Sequence, residues 1–272
     1  MMKLVLNPFP CIMVVALIFT ASCTPQSAST PDQEPVSITV SAAASLTEAF
    51  TEIGELFEDV NPEVSIIFNF AGSQELAQQI NEGAQVDVFA CANKKQMDVV
   101  VTANQFPEDG PVVFAQNQLA VIFPSDNPGA IKELADLAKS GLKLVFAGSE
   151  VPVGLYSLAF LDNAEASGLF PPEYKQAVLD NIVSYENNVR AILTKVSLGE
   201  ADGGIVYATD IVNAKDKIGF LEIPTELNVI ATYPILALPN ASQLEWGQAF
   251  VDFILSDAGQ QVMEKYGFSP VQ

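Results

Sequence analysis

Residues 38–57 read ITVSAAASLTEAFTEIGELF, an apolar run, a string of small residues and then a helical pattern. Ile38 to Ala42 suits a buried strand. Leu46, Ala49, Phe50, Ile53 and Phe57 then recur on one face of a helix. Ser45-Leu46-Thr47-Glu48 has capping-box spacing, with Ser45 at the N-cap and Glu48 three residues on. Asn61-Pro62 ends the helix.

The strand–turn–helix unit recurs along the chain. Val64 to Phe70 is strand-like, Gly72-Ser73 turns, and Leu76, Ala77 and Ile80 mark a helix. Val86 to Ala90 and Leu142 to Ala147 are buried-strand candidates, the second followed by a Pro152-Val153-Gly154 turn and a helix from about Leu155 to Ala166. Ile182 to Tyr185 precedes Asn187-Asn188, two good caps, and a helix through Ile192 and Val196. Gly203 to Tyr207 is a further strand. Alternation of this kind predicts an α/β fold with largely parallel strands.

Two distant apolar runs, Gln118 to Pro124 (QLAVIFP) and Thr232 to Pro239 (TYPILALP), read as neighbouring crossover strands. The chain then leaves one lobe, builds a second and returns. Trp246, Phe250 and Ile254 at helical spacing close the first lobe. Lobe I is expected over 36–120 plus 230–272, and lobe II over 121–229.

The chain has 272 residues, 12 Lys+Arg against 33 Asp+Glu, a formal charge of −21 and no histidine. So strong an acid excess argues against nucleic acid or an anionic membrane surface as partner. Without histidine, Ser-His-Asp and Cys-His catalysis and the usual His-containing zinc sites are excluded. There is also no GxSxG elbow and no GxxxxGK[ST] loop. The expectation is a binding protein with no cofactor, not an enzyme.

Residues 1–22 read as a signal peptide, with Lys3 before a short apolar stretch from Cys11 to Phe19. That stretch is too short for a membrane span, which needs about 20 apolar residues. Thr20-Ala21-Ser22-Cys23 resembles a bacterial lipobox, which makes Cys23 the lipidation site; ordinary cleavage near Ala21 is the alternative. Residues 23–35, rich in Pro, Ser and Thr, form a flexible tether. Cys91 is then a lone thiol in an apolar stretch, so no structural disulfide is expected.

In an α/β sheet, ligands bind at the carboxyl ends of the strands. Here those ends carry Ser45, Ser73, Val153, Val189 and Tyr207, small or neutral residues. The first four open helices, whose unpaired N–H groups carry a partial positive charge and suit an anion. Each alone has a plainer reading: Ser45 and Ser73 as helix caps, Pro152-Val153-Gly154 as a tight helix entry, Tyr207 as a core aromatic. Arg190, the only arginine, reads as a surface ion pair.

Seven stretches together resemble the periplasmic molybdate-binding proteins of ABC transporters, a type II solute-binding family. They are AAASLTEAF (42–50), FAGSQELAQQI (70–80), VDVFACAN (86–93), VPVGLY (151–156), NVRAIL (188–193), GIVYATD (204–210) and KYGF (265–268). The resemblance implies a two-lobed fold, each lobe a mostly parallel sheet flanked by helices, with the ligand cleft between them. It implies an oxyanion site in which Ser45 and Ser73 give hydroxyls and N–H groups, Val153 and Val189 give N–H groups, and Tyr207 gives its phenol. These are contacts to the oxyanion and not direct metal ligands. The family often has alanine where Val153 stands, and a serine-rich turn where this chain has Ala71-Gly72-Ser73-Gln74. The role implied is capture of molybdate, with tungstate, by a monomer that delivers it to a membrane permease from the periplasm or the extracytoplasmic membrane surface.

Neutral donors alone also select by protonation. An O–H on hydrogen phosphate finds no acceptor there, a penalty of about 1–3 kcal/mol. Sulfate stays eligible, so the same fold carrying sulfate is the main alternative. A ferric carrier would want several tyrosines, and the site offers Tyr207. A lipid-anchored adhesion domain would need no donor cluster at all.

Overall fold

The computed structural model describes Met1, residues 36–212 and residues 214–270. Met1 aside, the signal peptide expected over 1–22, Cys23 and the tether over 23–35 lie outside the described residues.

A first sheet is begun by β1 (Val36–Ala43), α1 (Thr47–Val60), β2 (Val64–Ala71), α2 (Ser73–Asn81), β3 (Val88–Ala90), α3 (Lys94–Asn104) and β4 (Val112–Asn117). The chain then enters a second sheet with β5 (Leu119–Pro124), β6 (Leu144–Ala147), α4 (Pro152–Ser167), α5 (Tyr174–Asp180), β7 (Ile182–Glu186), α6 (Val189–Ser197), β8 (Gly203–Tyr207), α7 (Ala208–Val212) and β9 (Ile218–Glu222). It returns through β10 (Ala231–Ala237) and ends in α8 (Leu244–Leu255) and α9 (Asp257–Lys265).

The sheets repeat one plan. The strand orders are β2-β1-β3-β10-β4 and β7-β6-β8-β5-β9. β1 runs parallel to β2 and β3, and β6 parallel to β7 and β8. These are the strands of the repeated unit, where a helix crossover enforces parallel pairing. The strands nearest the crossings pair antiparallel: β10 with β3 and β4, β5 with β8 and β9.

Two expectations change here. QLAVIFP and TYPILALP are not neighbours, because β5 belongs to the second sheet and β10 to the first. Of the partners they do have, β3 and β8 were read as strands and β4 and β9 were not. VVFAQN runs into QLAVIFP with no turn residue between them, which hides the break at Gln118. The two crossings do meet through Asn228: its amide donates to Leu119 O at 3.0 Å and accepts the Leu119 N–H at 3.0 Å.

Helices pack their apolar faces onto the sheets. Phe50, Ile53 and Phe57 of α1 are buried, and Phe50 lies against Phe114 and Phe250 with ring centroids 5.6 and 6.1 Å apart. Each such aromatic contributes roughly 1.5–3 kcal/mol by leaving water. A smaller cluster under α2 and α3 holds Leu76, Phe89, Met97 and Val100. Cys91 sits in it fully buried, its thiol donating to Asn93 O at 3.1 Å. Burial pushes that thiol's pKa far up, so it packs as a small apolar group. No helix among the described residues is long and apolar enough to cross a membrane.

Candidate functional site

The carboxyl ends of the parallel strands in both sheets face a small cavity of about 20 Å³. Ser45, Ser73, Val153, Val189 and Tyr207 all line it, with small neighbours such as Ala44, Gly72 and Ala92. No lining residue is charged. A space of this size suits a compact solute and not an extended one.

Local geometry turns backbone toward it. Ser73 is the first residue of α2, Val189 the first of α6 and Val153 the second of α4. At those positions an N–H has no intrahelical acceptor, so it points out of the helix end. Asn188 caps α6 by accepting the Ala191 N–H at 3.1 Å and leaves that of Val189 to the cavity. Helix α4 starts at Pro152, three residues before the expected Leu155, since proline suits the first helical turn. Gly154 follows for a steric reason: a Cβ there would lie 2.0 Å from Gly148 O and 2.5 Å from Ala147 O. The helix therefore begins directly on the end of β6.

The hydroxyls are specific too. Ser73 Oγ accepts the Ala92 N–H at 3.1 Å, which leaves its proton free to donate elsewhere. Ser45 does not cap α1, contrary to the capping-box reading. It lies within a short 3₁₀ turn, Ala44–Leu46, and its Oγ is 3.0 Å from Tyr233 Oη. Glu48 turns to Arg190 instead of back to the helix start. Tyr207 is 1% exposed and its hydroxyl has no hydrogen-bond partner among the described residues. Burial, with neighbouring Tyr233, Tyr156 and Asp210, pushes its pKa well above the ordinary value and keeps it a neutral donor. A buried donor left unpaired costs about 1–3 kcal/mol, which a ligand oxygen would recover.

A family model described as bacterial extracellular solute-binding protein matches residues 38–269. The molybdate-binding protein ModA of Mycobacterium tuberculosis is 36% identical over 259 residues, covering 95% of this chain and 94% of that protein. Among solved structures, the substrate-binding domain of a putative molybdenum ABC transporter from Clostridium difficile is 31% identical with a TM-score of 0.64, covering 87% of this chain and all of that one. The sulfate-binding protein SubI of M. tuberculosis superposes with a TM-score of 0.75 at 17% identity, over 87% of this chain and 88% of its own, a likeness of fold.

The chain belongs to the bacterial extracellular solute-binding proteins.

In this solute-binding protein the two sheets are tied across the cavity rim by polar contacts. Gln74 Nε2 donates to Asn187 O at 2.7 Å, and Gln96 Nε2 to Glu150 O at 2.9 Å. Gly72 permits the first approach, because a Cβ there would fall 2.4 Å from Asn187 O. Arg190, read from sequence as a surface ion pair, is the third tie. From α6 it reaches Glu48 of α1, and its Nε donates to Ala44 O at 3.2 Å. The same Nε lies 3.4 Å from Asp210 Oδ1.

Asp210 is a residue that sequence reasoning passed over. Its side chain is fully buried and its Oδ2 accepts the Tyr207 N–H at 3.1 Å. Burial raises its pKa to about 6, against the opposing pull of Arg190. An acid directly after the GIVY strand was the available signal. Tyr233 was also passed over; a tyrosine inside an apolar strand needs a hydroxyl partner, and here the partner is Ser45.

Proposed function

We propose that this protein captures molybdate, and tungstate as well, between its two lobes and presents it to an ABC permease. The contacts in this reading are the hydroxyls and N–H groups of Ser45 and Ser73, the N–H groups of Val153 and Val189, and the phenol of Tyr207. Lobe I comprises 36–120 plus 230–272 and lobe II 121–229, and the ligand bridges them. A signal peptide over 1–22 exports the chain, Cys23 carries a lipid, and residues 23–35 tether a monomer to the membrane.

The observation that carries this reading is a cavity lined by donors from both sheets with no charged residue, at whose wall Tyr207 keeps an unpaired buried hydroxyl. Oriented neutral donors can satisfy all the lone pairs of a tetrahedral dianion once water is excluded. A ligand held from both sides binds the closed arrangement best, and that differential is what drives closure. Molybdate is chosen over sulfate because the relatives above 30% identity carry molybdate or molybdenum in their names. The ferric alternative is disfavoured by chemistry: iron wants phenolates, and burial holds both Tyr207 and Tyr233 protonated.

The test is a thermal-shift series with molybdate, tungstate, sulfate and phosphate. At about 100 times the dissociation constant a ligand adds roughly 2.7 kcal/mol. In a chain of this size that raises Tm by roughly 5–10 °C. Shifts with molybdate and tungstate, and none with phosphate, are expected. A larger shift with sulfate moves the cargo and keeps the fold. No shift with any of the four overturns the reading.

A further inference from the structure

Behind the cavity wall lies a hydrogen-bond chain whose direction can be deduced. Asn117 Oδ1 accepts the Gln118 N–H at 2.9 Å, which orients the amide. Its Nδ2 therefore points the other way, to Thr209 Oγ1 at 2.8 Å and Tyr233 Oη at 3.4 Å. An amide NH₂ group only donates, so Tyr233 Oη is the acceptor in that contact. The Tyr233 proton still needs an acceptor, and Ser45 Oγ at 3.0 Å is the other hydrogen-bond partner of this hydroxyl among the described residues, which favours Tyr233 as the donor there. Tyr233 is fully buried, and burial raises its pKa far enough that the proton stays on the phenol. Once Ser45 Oγ accepts from Tyr233, its own hydrogen must point elsewhere, and Ser45 lines the cavity. Successive polarisation along Asn117, Tyr233 and Ser45 strengthens each donor in turn.

We propose that Tyr233 is a specificity-determining residue: by donating to Ser45 it fixes that serine as a donor and so restricts the cavity to fully deprotonated oxyanions. The inference rests on the reading of Ser45 as an anion contact. Ser73 is biased alike by the Ala92 N–H, so each serine has one lone pair already engaged and its proton free to turn to the ligand. Hydrogen arsenate and hydrogen phosphate each bring one O–H that needs an acceptor. Remove the Tyr233 hydroxyl, and Ser45 Oγ can rotate to accept it.

Tyr233→Phe makes the test. The ring keeps its edge contacts to Phe114, Tyr207 and Phe268, at 6.3, 5.8 and 5.3 Å between centroids. Asn117 keeps Thr209 and Gln118. Dissociation constants for molybdate and hydrogen arsenate are measured by calorimetry at pH 8 on both proteins; arsenate is the probe because it is nearer molybdate in size than phosphate. The variant should bind molybdate a few-fold more weakly and hydrogen arsenate about tenfold more tightly, the value of one recovered buried hydrogen bond. Opposite movement of the two ligands is what a general loosening of the site cannot produce. Parallel weakening, or an unchanged ratio, overturns the proposal. A wild type that binds no oxyanion overturns the functional reading first, before the variant is tested. Asn117→Asp is a second route, since an acceptor at that position draws the Tyr233 proton away from Ser45. The arsenate-to-molybdate ratio should move in the same direction.

Discussion

Replacing Arg190 by methionine is expected to destabilise the protein by about 3 kcal/mol at pH 8, and by clearly less at pH 5. Arg190 touches two acids of very different standing. Glu48 is 34% exposed, and a pair with it contributes at most about 1 kcal/mol. Asp210 is fully buried, with Arg190 Nε at 3.4 Å from Oδ1. Stripping the cation from a buried carboxylate typically costs 3–5 kcal/mol, and the lower end applies because Arg190 itself is 25% exposed. The pH dependence follows from the direction of the Asp210 shift. Its pKa in the folded protein is raised from 3.8 to about 6, so folding favours the protonated form and this residue's contribution falls as pH rises from about 4 to 6. Above that window the carboxylate is charged and depends on Arg190. Below it the acid is neutral, and losing Arg190 matters little. Urea unfolding of both proteins at pH 8 and pH 5 reads the difference directly. Equal deficits at the two pH values would mean that Asp210 does not depend on Arg190.

Tyr207→Phe should weaken molybdate binding by roughly 10- to 150-fold, which corresponds to about 1.5–3 kcal/mol for one hydrogen bond to a charged group. The same substitution should leave the oxyanion-free protein slightly more stable, by up to about 1 kcal/mol. The two effects have one cause. A hydroxyl buried without a partner burdens the fold until a ligand oxygen accepts its proton. Binding sites commonly hold such a conflict between stability and activity. Calorimetry with molybdate gives the first effect, and thermal unfolding after exhaustive dialysis gives the second. An affinity within twofold of wild type would remove Tyr207 from the contact set.

The repeated unit was legible because its physics is local. Small residues after an apolar run, then apolar spacing of 3.6, describe β1 and α1 without knowledge of what they pack against. Gly72-Ser73 and Asn188 were equally plain, since turns and caps depend on neighbouring residues. Val153 and Val189 lie at the other extreme. Their part is taken by backbone N–H groups, which every residue but proline has, so their place at helix starts and the family resemblance singled them out, not their side chains. Ser45 was placed on the right turn but given the wrong bond, because its partner Tyr233 is 188 residues away. Arg190 and Asp210 were misjudged or missed for the same reason. Whether a charge is solvated or buried against another depends on α6 meeting α1 across two sheets, and no window of sequence contains that encounter. β4 was missed beside β5, which was read, because Gln118 alone divides them and nothing in its chemistry marks a change of sheet.

The central claim is that five donors from both lobes hold one oxyanion. The measurement that reaches it most directly is anomalous scattering at the molybdenum edge from crystals grown with molybdate. The account predicts a single strong peak within the cavity, with ligand oxygens in hydrogen-bond reach of Ser45 Oγ, Ser73 Oγ, Tyr207 Oη and the N–H groups of Val153 and Val189, at about 2.7–3.2 Å. A peak elsewhere on the protein, or one whose oxygens are held by charged side chains, would contradict it.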